Sequence, residues 1–164
     1  MSILIICDSI IGNIAKELKG RYEEMLAKDA VERIVISRDE TERLRMRKST
    51  DKGTDIALTM SAGTRLRHGD VVSLAEKMVI INIEPEKVAV VRLKNAGLKT
   101  AVLIGHALGS LHRPVSVVGD RIILPIQSDG EIETLRRQLD PSASRVEITQ
   151  ELIVFEPEAG THEH

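Results

Sequence analysis

Residues 105–114 read Gly-His-Ala-Leu-Gly-Ser-Leu-His-Arg-Pro, and this stretch determines the fold predicted for the second half of the chain. Gly109 is suited to end a helix, and Pro114 prevents the helix from continuing. The stretch therefore predicts a helix over residues 95–110 and an exit loop that carries His112. At about 100° per residue, His106 and His112 would point roughly 120° apart on one helix. A single rigid helix therefore cannot bring both imidazoles to one ion.

The segments on either side of this helix predict a specific order of strands and helices. Apolar runs predict β-structure at residues 78–82 with 88–93, interrupted by Glu84-Pro85-Glu86, and strands at 115–118, 121–126 and 145–155. Helical spacing predicts a second helix at 129–139. Gly119 and Asp120 form a two-residue hairpin turn between two of the strands. The order strand, helix, strand, strand, helix, strand is that of the ferredoxin-like split unit.

The first half of the chain is predicted to consist mainly of short strands with tight turns. A helix is predicted at residues 14–28, and Arg43, Arg45 and Arg47 alternate with apolar residues in the two-residue period of a half-exposed strand. The three arginines are either solvated or face an acidic partner. We expect an α+β protein with an N-terminal β domain at 1–75, a ferredoxin-like βαββαβ domain at 76–155 and a short flexible tail at 156–164.

Composition excludes two classes of function. Of the 164 residues, 1% are aromatic, and 23 basic residues stand against 25 acidic ones, so the chain lacks both the stacking side chains and the basic surface of a nucleic-acid binder. The N-terminal apolar run is interrupted by Asp8 and predicts neither a signal peptide nor a membrane span. The single cysteine, Cys7, is compatible with a reducing compartment, so we expect a cytoplasmic protein.

The predicted helix at residues 95–110 has no wide polar face. A helix that is apolar on all sides must be covered on more than one side. The sheet covers one side, and a second copy of the chain is expected to cover another. In such a homodimer, His112 near the two-fold axis would face its own symmetry mate.

The C-terminal tail contains His162 and His164. Imidazole suits nickel, copper and zinc, and mobile histidines could close over an ion held by His112 and release it again. Such an open site fits metal transfer better than a structural cage of four fixed ligands. Alternatively, the tail is a solvated acidic end, His106 is a core histidine and His68 is an exposed turn residue.

Three motifs resemble those of one protein family. Residues 108–114, Leu-Gly-Ser-Leu-His-Arg-Pro, resemble the Leu-Gly-Asn-Arg-His-X-Pro signature of the UreE urease accessory proteins, which are nickel metallochaperones. Residues 51–58 with 63–71 resemble the N-terminal signature of that family. Residues 155–160, Phe-Glu-Pro-Glu-Ala-Gly, resemble the start of its histidine-bearing tail.

The resemblance implies a non-enzymatic carrier that delivers Ni²⁺ to apo-urease. It implies a partner-binding N-terminal domain and a dimer with a shared nickel site formed by His112 of each chain, assisted by His162 and His164. Zn²⁺ or Cu²⁺ can compete for these ligands. The implied partners are urease and its other accessory proteins, including a GTPase. Ser110 and Leu111 depart from the family signature, and the tail has two histidines where some members have a long run.

Two other classes of function are weighed against this one. A metal-dependent hydrolase would need three fixed ligands and a general base, and the sequence contains no His-Glu-X-X-His motif. It also contains no phosphate-binding loop of the Gly-X-X-X-X-Gly-Lys-Ser/Thr type. The remaining alternative is a metal-independent protein interaction module or chaperone subunit, in which the histidines are incidental.

Overall fold

The computed structural model describes residues 3–139 and 146–158, which divide into two compact units, Met1–Glu84 and Pro85–His164. Each unit contains both helices and strands, so the predicted α+β class is confirmed. The division comes later than the sequence predicted, which was after residue 75. The strand Met78–Ile83 pairs in parallel with Val31–Ile36, and it therefore belongs to the N-terminal unit.

The N-terminal unit contains two sheets. Its elements are β1 (Leu4–Cys7), β2 (Gly12–Asn13), α1 (Lys19–Ala27), β3 (Val31–Ile36), a short 3-10 helix (Arg38–Glu40), β4 (Arg45–Ser49), β5 (Asp55–Thr59), β6 (Asp70–Leu74) and β7 (Met78–Ile83). The strand order is β1-β5-β4 in the smaller sheet and β2-β6-β7-β3 in the larger one. Helix α1 packs on the larger sheet through Met25, which is buried with Val31, Val71, Met78 and Ile80.

Helix α1 is shorter than the helix predicted at residues 14–28. It begins at Lys19, because the preceding residues form turns stabilised by Asn13. The side-chain oxygen of Asn13 accepts a hydrogen bond from the Ala15 N–H at 2.9 Å, and its amide donates to the buried Asp70 carboxylate at 2.9 Å. A polar network between distant residues thus replaces the first turns of the predicted helix.

The alternation of arginines predicted around residue 45 is present in β4. Arg45 and Arg47 are exposed, and the intervening Met46 is half-buried. Arg47 donates hydrogen bonds to Asp55 on the neighbouring strand, and this contact lowers the pKa of the Asp55 carboxyl. Arg43 precedes the strand and lies 3.6 Å from Glu40.

The C-terminal unit has the order strand, helix, strand, strand, helix, strand. Its elements are β8 (Glu86–Leu93), α2 (Leu98–Gly109), β9 (Ser116–Val118), β10 (Arg121–Pro125), α3 (Gly130–Gln138) and β11 (Val146–Ile153). The strands form one antiparallel sheet in the order β11-β8-β10-β9. Gly119, with a φ of 61°, forms the hairpin turn between β9 and β10 where the sequence predicted it.

Both faces of the sheet in the C-terminal unit are covered along β8. Ala89 and Val91 on one face belong to the core that includes the inward residues of α2 and α3. Val88 and Val90 on the other face pack with Phe155, which is 1% exposed. Because successive strand side chains point to opposite faces, β8 is buried on both faces at its centre. Its Ala89 and Val91 side chains form part of the core against which α2 packs.

Candidate metal centre

The end of α2 is fixed by apolar contacts to the core. Ile104 and Leu108 lie one turn apart and are 1% and 2% exposed, and Leu111 packs against the same core. The helix begins at Leu98, three residues after its predicted start, and ends at Gly109, one residue before its predicted end. The chain then tightens, because the N–H groups of Leu111 and His112 donate to carbonyls three residues earlier. His112 therefore lies on the exit loop, directly after an anchored leucine.

His112 adopts a left-handed backbone conformation with a φ of 51°. Gly109, which the sequence suggested as the glycine cap, is instead the last helical residue. Helices commonly end with a left-handed residue that is glycine, and a side chain in this conformation costs about 1 kcal/mol. The left-handed position after the helix is thus occupied by a histidine, and its side chain is exposed.

The residue after His112 is anchored to two other elements. The Arg113 guanidinium donates a hydrogen bond to the Pro125 carbonyl at 3.2 Å and forms an ion pair with Glu131 in the first turn of α3. The Glu131 carboxylate also accepts from the Gln127 N–H at 2.7 Å. Burial raises the pKa of the Glu131 carboxyl, but the hydrogen bonds from Gln127 and Arg113 outweigh burial and lower it. These bonds fix the loop on the far side of His112.

Both histidines of this region are exposed. His112 and His106 have solvent-exposed side chains, and neither imidazole forms a hydrogen bond to another described residue. His106 is therefore not part of the core of its own unit, since α2 leaves this side uncovered within a single chain. Both imidazoles are free to present a nitrogen lone pair to a ligand.

His68, in the N-terminal unit, differs from these two. It is exposed in the turn that precedes β6, where the sequence placed it, but its Nδ1 accepts a hydrogen bond from the Ile83 N–H at 3.1 Å. A neutral imidazole with Nδ1 as acceptor carries its proton on Nε2. It then has no free lone pair for a metal ion, so the geometry disfavours His68 as a ligand.

The start of the C-terminal tail lies beside the loop that follows His112. The Glu158 N–H donates to the Val115 carbonyl at 2.9 Å, and the Glu158 carboxylate accepts from the Val117 N–H at 3.4 Å. His162 and His164 lie outside the described residues. Val115 follows His112 by three residues, so the described part of the tail ends close to the loop.

Within residues 3–139 and 146–158, no three His, Cys, Asp or Glu side chains cluster closely enough to hold a metal ion. The described part of one chain thus contributes a single exposed imidazole at the loop, and further ligands must come from elsewhere. Sequence reasoning missed the supporting contacts of Arg113, Glu131 and Glu158. Of these residues, only Glu131 could have been singled out from the sequence, because Ser128-X-X-Glu131 is the pattern of a helix-capping box.

Comparison with known proteins identifies the first half of the chain. Residues 8–84 match the family model of the UreE urease accessory protein, N-terminal domain. These residues belong to the UreE family. The resemblance to UreE predicted from residues 51–58 and 63–71, which lie within this range, is thereby confirmed.

Relatives named urease accessory protein UreE match a longer part of the chain. One from Haemophilus influenzae strain PittEE is 33% identical over 126 residues, which cover 75% of this chain and 65% of the relative. UreE relatives from Natronomonas pharaonis and Ralstonia nicotianae are each 29% identical, over 76% and 73% of this chain and 61% and 53% of their own lengths. The chain thus spans less than two thirds of each relative. Among its described helices, none has the length and apolar character needed to cross a membrane.

Proposed function

We propose that this protein is a non-enzymatic, cytoplasmic metallochaperone that binds Ni²⁺ through His112 and delivers it to apo-urease. The observation that carries the proposal is the state of His112: its imidazole is exposed and unbonded, while Leu111 and Arg113 on either side are anchored. A ligand held on a fixed backbone loses little freedom on binding a metal ion. An exposed ion can also be passed to another protein.

The second ligand to the ion is the same histidine of a second copy. On α2, Leu98 is 82% exposed, Val102 is 60% exposed and Leu103 is 53% exposed. Leu98, Val102 and His106 are spaced by four residues and therefore share one side of the helix. An apolar stripe that leads toward the metal ligand supports a two-fold contact in which each chain supplies one His112.

The tail histidines supply the remaining ligands. Glu158 is held against Val115 and Val117, and His162 follows four residues later. Four extended residues span about 13 Å, so His162 and His164 are within reach of an ion at the loop. In this proposal, the two imidazoles leave the ion as readily as they bind it, which favours transfer of the ion over permanent retention.

The two units divide the work in this proposal. The C-terminal unit is the ferredoxin-like metal-binding domain, and the N-terminal unit binds urease and its other accessory proteins, including a GTPase. Imidazole ligands bind Cu²⁺ and Zn²⁺ as well as Ni²⁺. Delivery of Ni²⁺ therefore depends on which metal ions are supplied to the protein and on the partner protein that receives the ion.

Isothermal titration of Ni²⁺ into the protein tests the role of His112. We expect His112→Ala to weaken binding by about a hundredfold or more, since loss of a residue that merely supports a ligand already costs about 10–100-fold. His68→Ala is the control, since it removes an exposed imidazole outside the proposed site and dimer contact and should leave nickel binding unchanged. Unchanged binding by His112→Ala would refute the proposed site.

Removal of the residues after Gly160 tests the role of the tail. We expect weaker nickel binding or a different stoichiometry, with the dimer intact by sedimentation. Identical isotherms for the full and shortened chains would show that His162 and His164 do not bind the ion.

A further inference from the structure

The N-terminal unit contains a cavity of about 720 Å³. Its lining includes Ile3, directly before β1, and Ile5 on β1, together with Glu32, Ser73 and Val79 of the larger sheet. Glu32 and Ser73 are the paired neighbours of Val79 on β3 and β6. Paired residues point to the same face of a sheet, so these three side chains form a continuous floor.

One wall of the cavity is apolar and exposed. Ile3 is 80% exposed and Ile5 is 36% exposed. Among the described strands, β1 pairs only with β5, so it forms an edge of its sheet. An edge strand leaves N–H and C=O groups available to an extended segment of another chain.

The floor contains a buried carboxylate. Glu32 is 1% exposed, and both of its carboxylate oxygens accept from the Thr54 hydroxyl, at 2.8 and 2.9 Å. The Lys77 ammonium lies 3.5 Å away, and its side chain is 58% exposed. A charge-assisted hydrogen bond to a carboxylate measures about 2.8 Å, so Lys77 compensates this charge only loosely. A carboxylate has about four acceptor positions, which leaves room for another donor.

The charges around the cavity favour a cation. Three carboxylates line it, those of Glu32, Asp55 and Glu76, against the single ammonium of Lys77. Arg47 compensates Asp55, whereas Glu76 has no ion pair with a described residue. An incoming ammonium or guanidinium group would therefore enter a region of net negative charge.

We propose that this cavity binds a segment of a partner protein that inserts a lysine or arginine onto Glu32 and places a neighbouring apolar side chain against Ile3 and Ile5. The proposal rests on the partner-binding role of the N-terminal unit and specifies its chemistry. A protein segment is favoured over a small cation because the exposed isoleucines would stay uncovered by the latter.

Immobilised nonapeptide libraries test this proposal. Each library has a fixed central lysine, arginine, norleucine or glutamate flanked by random apolar and hydroxyl residues. We expect the full-length protein to bind the lysine and arginine libraries about tenfold more than the norleucine library, since a hydrogen bond to a charged partner has about this effect. Equal binding of all libraries, or of none, would overturn the proposal, as would equal competition by butylamine and a selected peptide.

Variants of the cavity sharpen the test. Glu32→Gln should abolish the preference for lysine and arginine over norleucine. Ala75→Leu fills the exposed rim without altering Glu32 and should reduce binding of every library, whereas Ala62→Leu, in an exposed turn away from the cavity, should have no effect. A preference that survives Glu32→Gln, or binding unaffected by Ala75→Leu, would overturn the assignment.

Nickel binding distinguishes this proposal from that for the C-terminal unit. Glu32→Gln should leave the nickel isotherm unchanged, and His112→Ala should leave the peptide preference unchanged. Loss of peptide preference in His112→Ala would contradict a site confined to the N-terminal unit.

Discussion

His68 and His112 are both exposed histidines in turns, yet their imidazoles differ in their hydrogen bonds. His68 accepts a backbone hydrogen bond from Ile83 at Nδ1, whereas no described residue hydrogen-bonds the His112 imidazole. At the first site, a glycine with a φ of 84°, Gly69, follows the histidine, and at the second the histidine itself has the left-handed conformation. The first histidine stabilises its unit, and the second is available to a ligand. Exposure alone therefore does not identify a metal ligand.

The largest effect on stability is expected at His68. His68→Ala leaves the Ile83 N–H without its acceptor, which should lower the free energy of unfolding by about 2 kcal/mol and leave nickel binding unchanged. Urea denaturation and amide hydrogen exchange at Ile83 measure this loss. Arg67→Ala is the control, since it truncates an exposed side chain next to His68 that accepts no bond from the Ile83 N–H. An unchanged exchange rate at Ile83 in His68→Ala would contradict the structural role.

A smaller effect is expected from the backbone at His112. Glycine adopts the left-handed conformation without strain, so His112→Gly should be more stable than His112→Ala by about 1 kcal/mol. Both variants should lose nickel binding to the same extent. Thermal unfolding of the two proteins measures the effect of backbone strain on stability, and nickel titration measures the loss of the metal ligand. Equal stability of the two variants would argue against a left-handed residue at this position.

The smallest effect is expected at Glu131, which supports the loop through Arg113. Its pKa is lowered in the folded state, so its contribution to stability is present above the ordinary value of 4.5 and is lost as the pH falls through the lower, folded-state pKa. Glu131→Gln should reduce the free energy of unfolding at pH 7 by less than about 1 kcal/mol, and the difference from the parent protein should shrink in acid.

Urea denaturation at pH 7 and pH 3 measures this difference. Glu133→Gln removes an exposed carboxylate from the same helix and is the control. A difference between Glu131→Gln and the parent protein that grows in acid would contradict a lowered pKa at Glu131.

Local patterns predicted the elements of the C-terminal unit well. The end of α2 within one residue of its predicted position, the hairpin at Gly119 and the order of strands and helices depend on turn residues and periodicity within short windows. The left-handed histidine was not predicted, because a glycine three residues earlier offered a more usual cap.

Long-range pairing was the part that the sequence could not reveal. The run Met78–Ile83 is apolar throughout most of its length, and only its pairing with Val31–Ile36 assigns it to the N-terminal unit. The burial of Glu32 in β3 could not be predicted from the sequence either, because it depends on contacts with Thr54 and Lys77, which are distant in the chain. The contact between Glu158 and Val115 joins residues that are distant in the chain, so no local pattern predicts it.

The central claim is that two copies of His112 share one nickel ion. Native mass spectrometry of the nickel-loaded protein ending at Gly160 tests it most directly, because the tail histidines are then absent. The proposal predicts a species of two chains with one nickel ion, and its loss in His112→Ala. One nickel ion on each single chain, or a metal-bound dimer that survives His112→Ala, would contradict it.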